Sequence, residues 1–148
     1  MASVTVKVDG LAELGRRLST LKSDMALKAA RSATGAAAQV IKKTAVLKID
    51  SNPSIETGSM RGAVIVKRLP KGESNLTSEH IVTVRGRGKT SKKTGIKQKD
   101  APYAHYVEFG TVNMPAEPFL RPAFDQNKET AVQAMADRLK KQLEKFGA

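Results

Sequence analysis

Two histidines, His80 and His105, are the first places to look for chemistry in this chain of 148 residues. They share no metal-ligand motif. Neither an HExxH pattern nor a ligand pair at helical spacing is present, so no metal site is expected. His105 stands among Tyr103, Tyr106 and Glu108. An imidazole in such company could act as a general acid or base, although a histidine so flanked is more often a packed or surface group. Gly86-Arg87-Gly88-Lys89-Thr90 ends like a phosphate loop. It lacks the GxxxxGK[ST] spacing and no apolar helix follows, so it is a chance match. No serine sits in a GxSxG context. The chain has no Cys, which excludes a disulfide framework, a thiolate zinc site and a cysteine nucleophile, and suits a reducing cytoplasm. The residues therefore assign no catalytic group, and no cofactor is expected.

Charge offers more. The net charge is +12, from 26 Lys and Arg against 14 Asp and Glu. Such an imbalance attracts polyanions, whether nucleic acid, an anionic membrane or an acidic protein surface, without choosing among them. It peaks in residues 85–99, RGRGKTSKKTGIKQK, where Arg85, Arg87, Lys89, Lys92, Lys93, Lys97 and Lys99 stand with three glycines and no acid. With little apolar surface to offset the entropy of ordering, a mobile, solvated loop over 85–100 is expected. Its cations could contact phosphates with steep salt dependence. No aromatic is interleaved, so single-strand stacking is not expected, and contact with DNA would be sequence-independent. An acidic protein partner and a plain solubilising charge run are the other two readings.

The next stretch is different in kind. Residues 101–125, APYAHYVEFGTVNMPAEPFLRPAFD, hold both tyrosines and three of the four phenylalanines. Pro115 and Pro118 impose an extended path, because the residue before a proline is pushed out of the helical region. Aromatics and Arg are typical anchors of subunit contacts. Tyr103, Tyr106, Glu108, Phe109, Gly110, Met114, Pro115, Phe119, Arg121 and Pro122 are accordingly the candidate interface. A core connection is the compatible alternative, with Phe119 and Phe124 packed under a sheet.

The elements that would position these segments follow from periodicity. Residues 3–8 alternate Val4, Val6 and Val8 with Thr5 and Lys7, a strand pattern. Asp9-Gly10 ends it, and Asp9 is placed to cap a helix. Leu11, Leu14, Leu18, Leu21 and Met25 make one helical stripe. Ser23-Asp24 either breaks that helix or starts a second, running to about Lys48, with Leu27, Ala30, Ala37, Val40 or Ile41, Thr44 and Leu47 near one face. Its alanine-rich middle suits close packing. A loop is expected over 49–61, a strand over 63–69, a polar loop over 70–79 and a strand over 80–85, with Ile81 and Thr83 on one face and Val82 and Val84 on the other. Residues 103–109 fit a short helix or a strand. Pro122 can open a last helix carrying Phe124, Ala131, Met135, Leu139, Leu143 and Phe146 on one stripe.

These elements predict an α+β fold: a small, mostly antiparallel sheet packed against two or three helices, with a long C-terminal helix, in a single domain over residues 1–148. The length suffices for a core without disulfides or metals. No run approaches the roughly 18 to 20 apolar residues of a membrane span. The N-terminus has no continuous apolar run either, so no secretory leader and no membrane partner are expected.

Tyr103-Ala104-His105-Tyr106-Val107-Glu108-Phe109-Gly110-Thr111, then Met114-Pro115-Ala116 and Pro118-Phe119-Leu120-Arg121-Pro122-Ala123-Phe124, are similar to the signature of a phage morphogenesis family. Its members are variously called head-tail joining, neck or tail-completion proteins of long-tailed bacteriophages. Val8-Asp9-Gly10-Leu11-Ala12-Glu13-Leu14 resembles that family's start, and Thr57-Gly58-Ser59-Met60-Arg61 resembles the turn before its middle strands. The resemblance implies a non-enzymatic virion component assembled in the host bacterial cytoplasm. It further implies a homo-oligomeric ring, six- or twelve-fold, at the head-tail junction around the DNA channel. Its partners would be the head connector and tail-terminator or tail-tube proteins. A module that binds double-stranded DNA through the basic loop is the alternative.

Overall fold

The computed structural model describes residues 9–53, 55, 57–69 and 77–147, with Thr57 described by its backbone alone. The strand expected over 3–8 and most of the loop expected over 70–79 lie outside the described residues. Among the described residues, five helices and two strands follow in the order α1 (Leu11–Thr20), α2 (Ser23–Asp50), α3 (Thr57–Ala63), β1 (Val64–Arg68), β2 (His80–Val84), α4 (Ala104–Phe109) and α5 (Leu120–Lys145). The fold is α+β with a long C-terminal helix. β1 and β2 pair with each other. The Arg85 N–H donates to the Ala63 carbonyl at 2.8 Å and the Leu69 N–H to the Glu79 carbonyl at 3.1 Å. These two bonds fix an antiparallel register that sets Val64 opposite Val84.

Two compact units are present. The first takes in the described residues of Met1–Val40, Arg68–Ile81 and Lys128–Ala148. Its buried groups are Ala29, Ala33 and Ala38 of α2 with Ala131 and Leu143 of α5. Alanines leave room for close helix approach, and Arg138 Nε reaches Ser32 Oγ at 2.8 Å. Thr34 sits between Ser78 and His80, with its Oγ1 3.2 Å from Ser78 Oγ and 2.9 Å from His80 Nδ1. No residue of α1 is fully buried.

The second unit comprises Ile41–Lys67 and Val82–Asn127. Its core gathers Ala45 and Ile49 from α2, Met60 and Ala63 from α3, Val64 from β1, Ala104 from α4, and Phe119 and Ala123 at the start of α5. Val82 and Val84 pack against it, whereas Ile81 is exposed, which matches the two faces read from the alternation of β2.

Several expectations are corrected. Gly10, not Asp9, is the N-cap of α1, without a side-chain cap; the Leu14 N–H takes its carbonyl at 3.0 Å. Residues 57–61, expected in a loop, and Ala63, expected to open a strand, belong to α3, because turning there buries Met60 and Ala63 completely; tertiary burial overrides a composition of Thr, Gly and Ser. Leu47 is 65% exposed, since Ala45 and Ile49 carry the buried face of α2 instead. Phe124 is 53% exposed rather than core. Phe119 and Ala123 take the inward positions, and the next residue turns about 100° away.

Candidate subunit interface and basic hairpin

Residues 103–125 are built around one carboxylate. Glu108, on α4, is 4% exposed. Its Oε2 accepts the N–H groups of Phe119 and Leu120 at 2.8 and 2.9 Å, and its Oε1 accepts the Arg121 N–H at 3.0 Å. A helix leaves its first four N–H groups without internal partners. At α5 three of the four point at Glu108, and the fourth position is Pro122, which has no N–H. A side chain from another helix thus completes the capping. Burial pushes the Glu108 carboxyl up, but the N–H groups of Leu120, Phe119 and Arg121, helped by the Arg121 guanidinium, outweigh it and hold it below the usual glutamate range.

The path between the two helices is equally fixed. Gly110 ends α4 at φ 75°. A Cβ there would lie 2.8 Å from the Ala116 nitrogen and 2.9 Å from the Met114 oxygen, both backbone atoms. Thr111 and Met114 exchange backbone bonds across a tight turn. The Glu117 N–H donates to the Val107 carbonyl at 2.8 Å, and Asn52 Nδ2 donates to Glu117 Oε2 at 2.9 Å.

On this rigid frame the apolar groups face outward. Tyr103, Tyr106, Phe109, Val112, Met114 and Phe124 are all exposed, Val112 completely so. Pro115 and Arg121 are exposed as well. Arg121 lies over the Phe109 ring, 5.0 Å from its centroid, and His105 stacks obliquely on Tyr106 at 3.8 Å. An open cleft of about 340 Å³ beside them is lined by Val84, Pro102, His105, Phe109, Leu120 and Arg121, among others. Of the candidate interface residues, Glu108 and Phe119 are interior groups that hold the segment's shape, and Gly110 and Pro122 are partly covered.

The basic segment has an architecture that its composition does not announce. The Ala101 N–H donates to the Arg85 carbonyl at 2.8 Å, closing the base. Above it, Arg85 Nη1 donates to the Lys99 carbonyl at 3.0 Å, and the Gly88 N–H to Asp100 Oδ2 at 2.8 Å. The Gln98 N–H then reaches the Lys89 carbonyl, and the Ser91 N–H the Ile96 carbonyl. Thr90 and Lys97 form an antiparallel bridge. Lys92 and Lys93 lie in the turn at the tip. The Gly88 N–H holds the Asp100 carboxyl below its usual range, against a weaker upward push from burial, and Lys97 at 3.4 Å adds to the lowering. Arg87, Lys89, Lys92, Lys93, Lys97 and Lys99 are exposed, and Arg85 is half-buried.

Among the described residues no group of three or more His, Cys, Asp or Glu is placed to hold a metal ion, and no helix is long and apolar enough to cross a membrane. A family model described as "Bacteriophage HK97-gp10, putative tail-component" matches residues 12–110. The chain belongs to this family. No curated protein and no solved structure matches the chain. The family match takes in most of α1, all of α2 and α3, both strands, the basic hairpin and α4. It stops at Gly110, just before the exposed turn and the start of α5. Membership gives a bacteriophage tail component, hence a structural place in the virion among other virion proteins.

The sequence signal for the candidate interface was the crowding of aromatics over 101–125. The capping role of Glu108 carried a fainter signal: α5 opens after Pro118-Phe119, with no Ser, Thr, Asp or Asn to cap it, so an acceptor had to come from elsewhere.

Proposed function

We propose that this tail component is a non-catalytic subunit of the neck or tail-completion region, closing as a homo-oligomeric ring at the head-tail junction around the DNA channel. Residues 103–125 supply its principal contacts, to a neighbouring copy and to the head connector or tail-terminator and tail-tube proteins. One observation carries this reading. Six exposed large apolar side chains are concentrated in 22 residues of a segment whose backbone is fixed by Glu108, Gly110 and Glu117. Isolated exposed apolar groups are ordinary, but a cluster on a rigid frame marks a contact surface, and rigidity lowers the entropy lost on association. The basic hairpin supports a second element of the reading, sequence-independent contact with double-stranded DNA in the channel.

The test is assembly. Light scattering gives the mass of the purified protein alone and with tails lacking it, and electron microscopy shows whether tail ends acquire a ring. The double variant Tyr106→Ser, Phe109→Ser is expected to melt like the parent and to lose the ring. A protein that stays monomeric with tails and connectors, yet shifts on adding DNA, overturns the assembly reading in favour of a free DNA-binding module.

A further inference from the structure

The basic segment invites the reading of a charged tether whose effect is its net charge. Its hydrogen bonds suggest something more specific. We propose that residues 85–101 form a preorganised phosphate-backbone clamp for duplex DNA, in which Asp100 and Gly88 brace the hairpin that presents Arg87, Lys89, Lys92, Lys93 and Lys99. The proposal rests on the DNA-facing part of the reading above and deepens it.

Three observations lead there. First, the one acid at the end of the basic run is turned inward. Asp100 accepts a backbone N–H from Gly88, twelve residues back, and pairs with Lys97. The acid neutralises one cation and leaves the others unopposed among the described residues. Second, the bonds climb from base to tip: Arg85 with Ala101, Gly88 with Asp100, Lys89 with Gln98, Ser91 with Ile96. The segment is thereby held as a hairpin, with Lys92 and Lys93 in its turn. Third, Gly88 has no room for a side chain, because a Cβ would overlap the Gln98 carbonyl. That close approach of two backbones is what the brace requires.

The chemistry of the hairpin selects its partner. It offers exposed ammonium and guanidinium groups, with Ile96 its one exposed large apolar side chain and no aromatic. A protein partner would call for an apolar anchor within the contact, and single strands for stacking surfaces. A duplex asks for neither, because its phosphates are met by point charges. Fixing those charges in advance reduces the ordering cost of binding.

Preorganisation and net charge make opposite predictions. Asp100→Ala removes an acid, so a pure charge effect strengthens DNA binding, while loss of the brace weakens it. Gly88→Ala changes no charge, so a tether is indifferent to it. The experiment is fluorescence anisotropy of the full chain with a 30-base-pair duplex of arbitrary sequence across a salt series, with the melting midpoint of every variant recorded. The parent is expected to show a slope of log K on log salt of about −4.5, the value for five phosphate contacts. Lys92→Gln, Lys93→Gln should reduce the steepness by about 2. Gly88→Ala and Asp100→Ala should each bind roughly five-fold more weakly or worse. Asp100→Ala serves where Gly88→Ala fails to fold. Parent-like binding by both, or tighter binding by Asp100→Ala, overturns the clamp and leaves DNA contact through a tether standing. No binding by the parent overturns the DNA-facing reading and the clamp with it. Competition by polyglutamate at equal charge as strong as that by DNA overturns the choice of partner in favour of an acidic protein.

Discussion

At the scale of single residues, Glu108 is where removal of a few atoms should matter most. Its carboxylate meets three backbone donors that have no other acceptor in the helix they open. Hydrogen bonds to a charged group contribute more than neutral ones, and leaving buried donors unmet costs their desolvation as well. Glu108→Ala is expected to destabilise the protein by about 2–4 kcal/mol, somewhat more than an ordinary N-cap loss, read as a shift of the urea midpoint. The same group predicts acid sensitivity. Because its folded pKa is depressed, its contribution is complete above the unfolded value, about 4.3 for a glutamate, and disappears as pH falls through the lower folded value. Asp100, also depressed, acts in the same direction. Stability should therefore drop below about pH 4.3, and Glu108→Gln should flatten that limb. A variant whose acid limb matches the parent's would place the cap's contribution elsewhere.

At the scale of elements, periodicity was legible where one face of one element meets one core. The alternation over 80–85 separates Val82 and Val84 from Ile81 and Thr83, and the structure packs the two valines against the core; the apolar spacing from Leu11 to Met25 and on to about Lys48 corresponds to α1 and α2. It failed where a distant group sets the phase. The heptad from Phe124 to Ala131 looked like the start of the α5 stripe. Glu108 instead anchors the first turn so that Phe119 and Ala123 point inward and Phe124 outward. α3 was illegible for a related reason: its Thr, Gly and Ser favour turns, and only burial of Met60 makes it helical. The composition over 85–100 predicts a mobile, solvated loop, because it holds little apolar surface to explain any order. The hairpin's bonds come from backbone groups, the Arg85 guanidinium and one aspartate twelve residues from its partner. The phase of α5 gives a clean contrast. Phe119→Ala, in the core at 1% exposure, should cost about 3–5 kcal/mol. Phe124→Ala should stay within about 0.5 kcal/mol in the same denaturant titration.

At the scale of the molecule, the two proposed surfaces answer to salt in opposite ways. With a net charge of +12, copies of the chain repel one another, and that repulsion is screened over about 10 Å at 0.1 M salt but about 3 Å at 1 M. A contact made through Tyr106, Phe109, Val112 and Met114 gains from screening, since burial of apolar area is not weakened by salt and the repulsion is. Self-association is therefore expected to increase from 0.1 M to 1 M salt in sedimentation velocity, whereas affinity for duplex DNA should fall by about 4.5 orders of magnitude over the same decade. In a neck the two effects meet, because duplex threaded through a ring would supply the counter-charge that high salt supplies in the tube. Duplex DNA at 0.1 M salt should then favour the oligomer as well. Dissociation of the oligomer at 1 M salt would mean that its contact is made by charged groups, and the aromatic segment over 103–125 would lose its place as the interface.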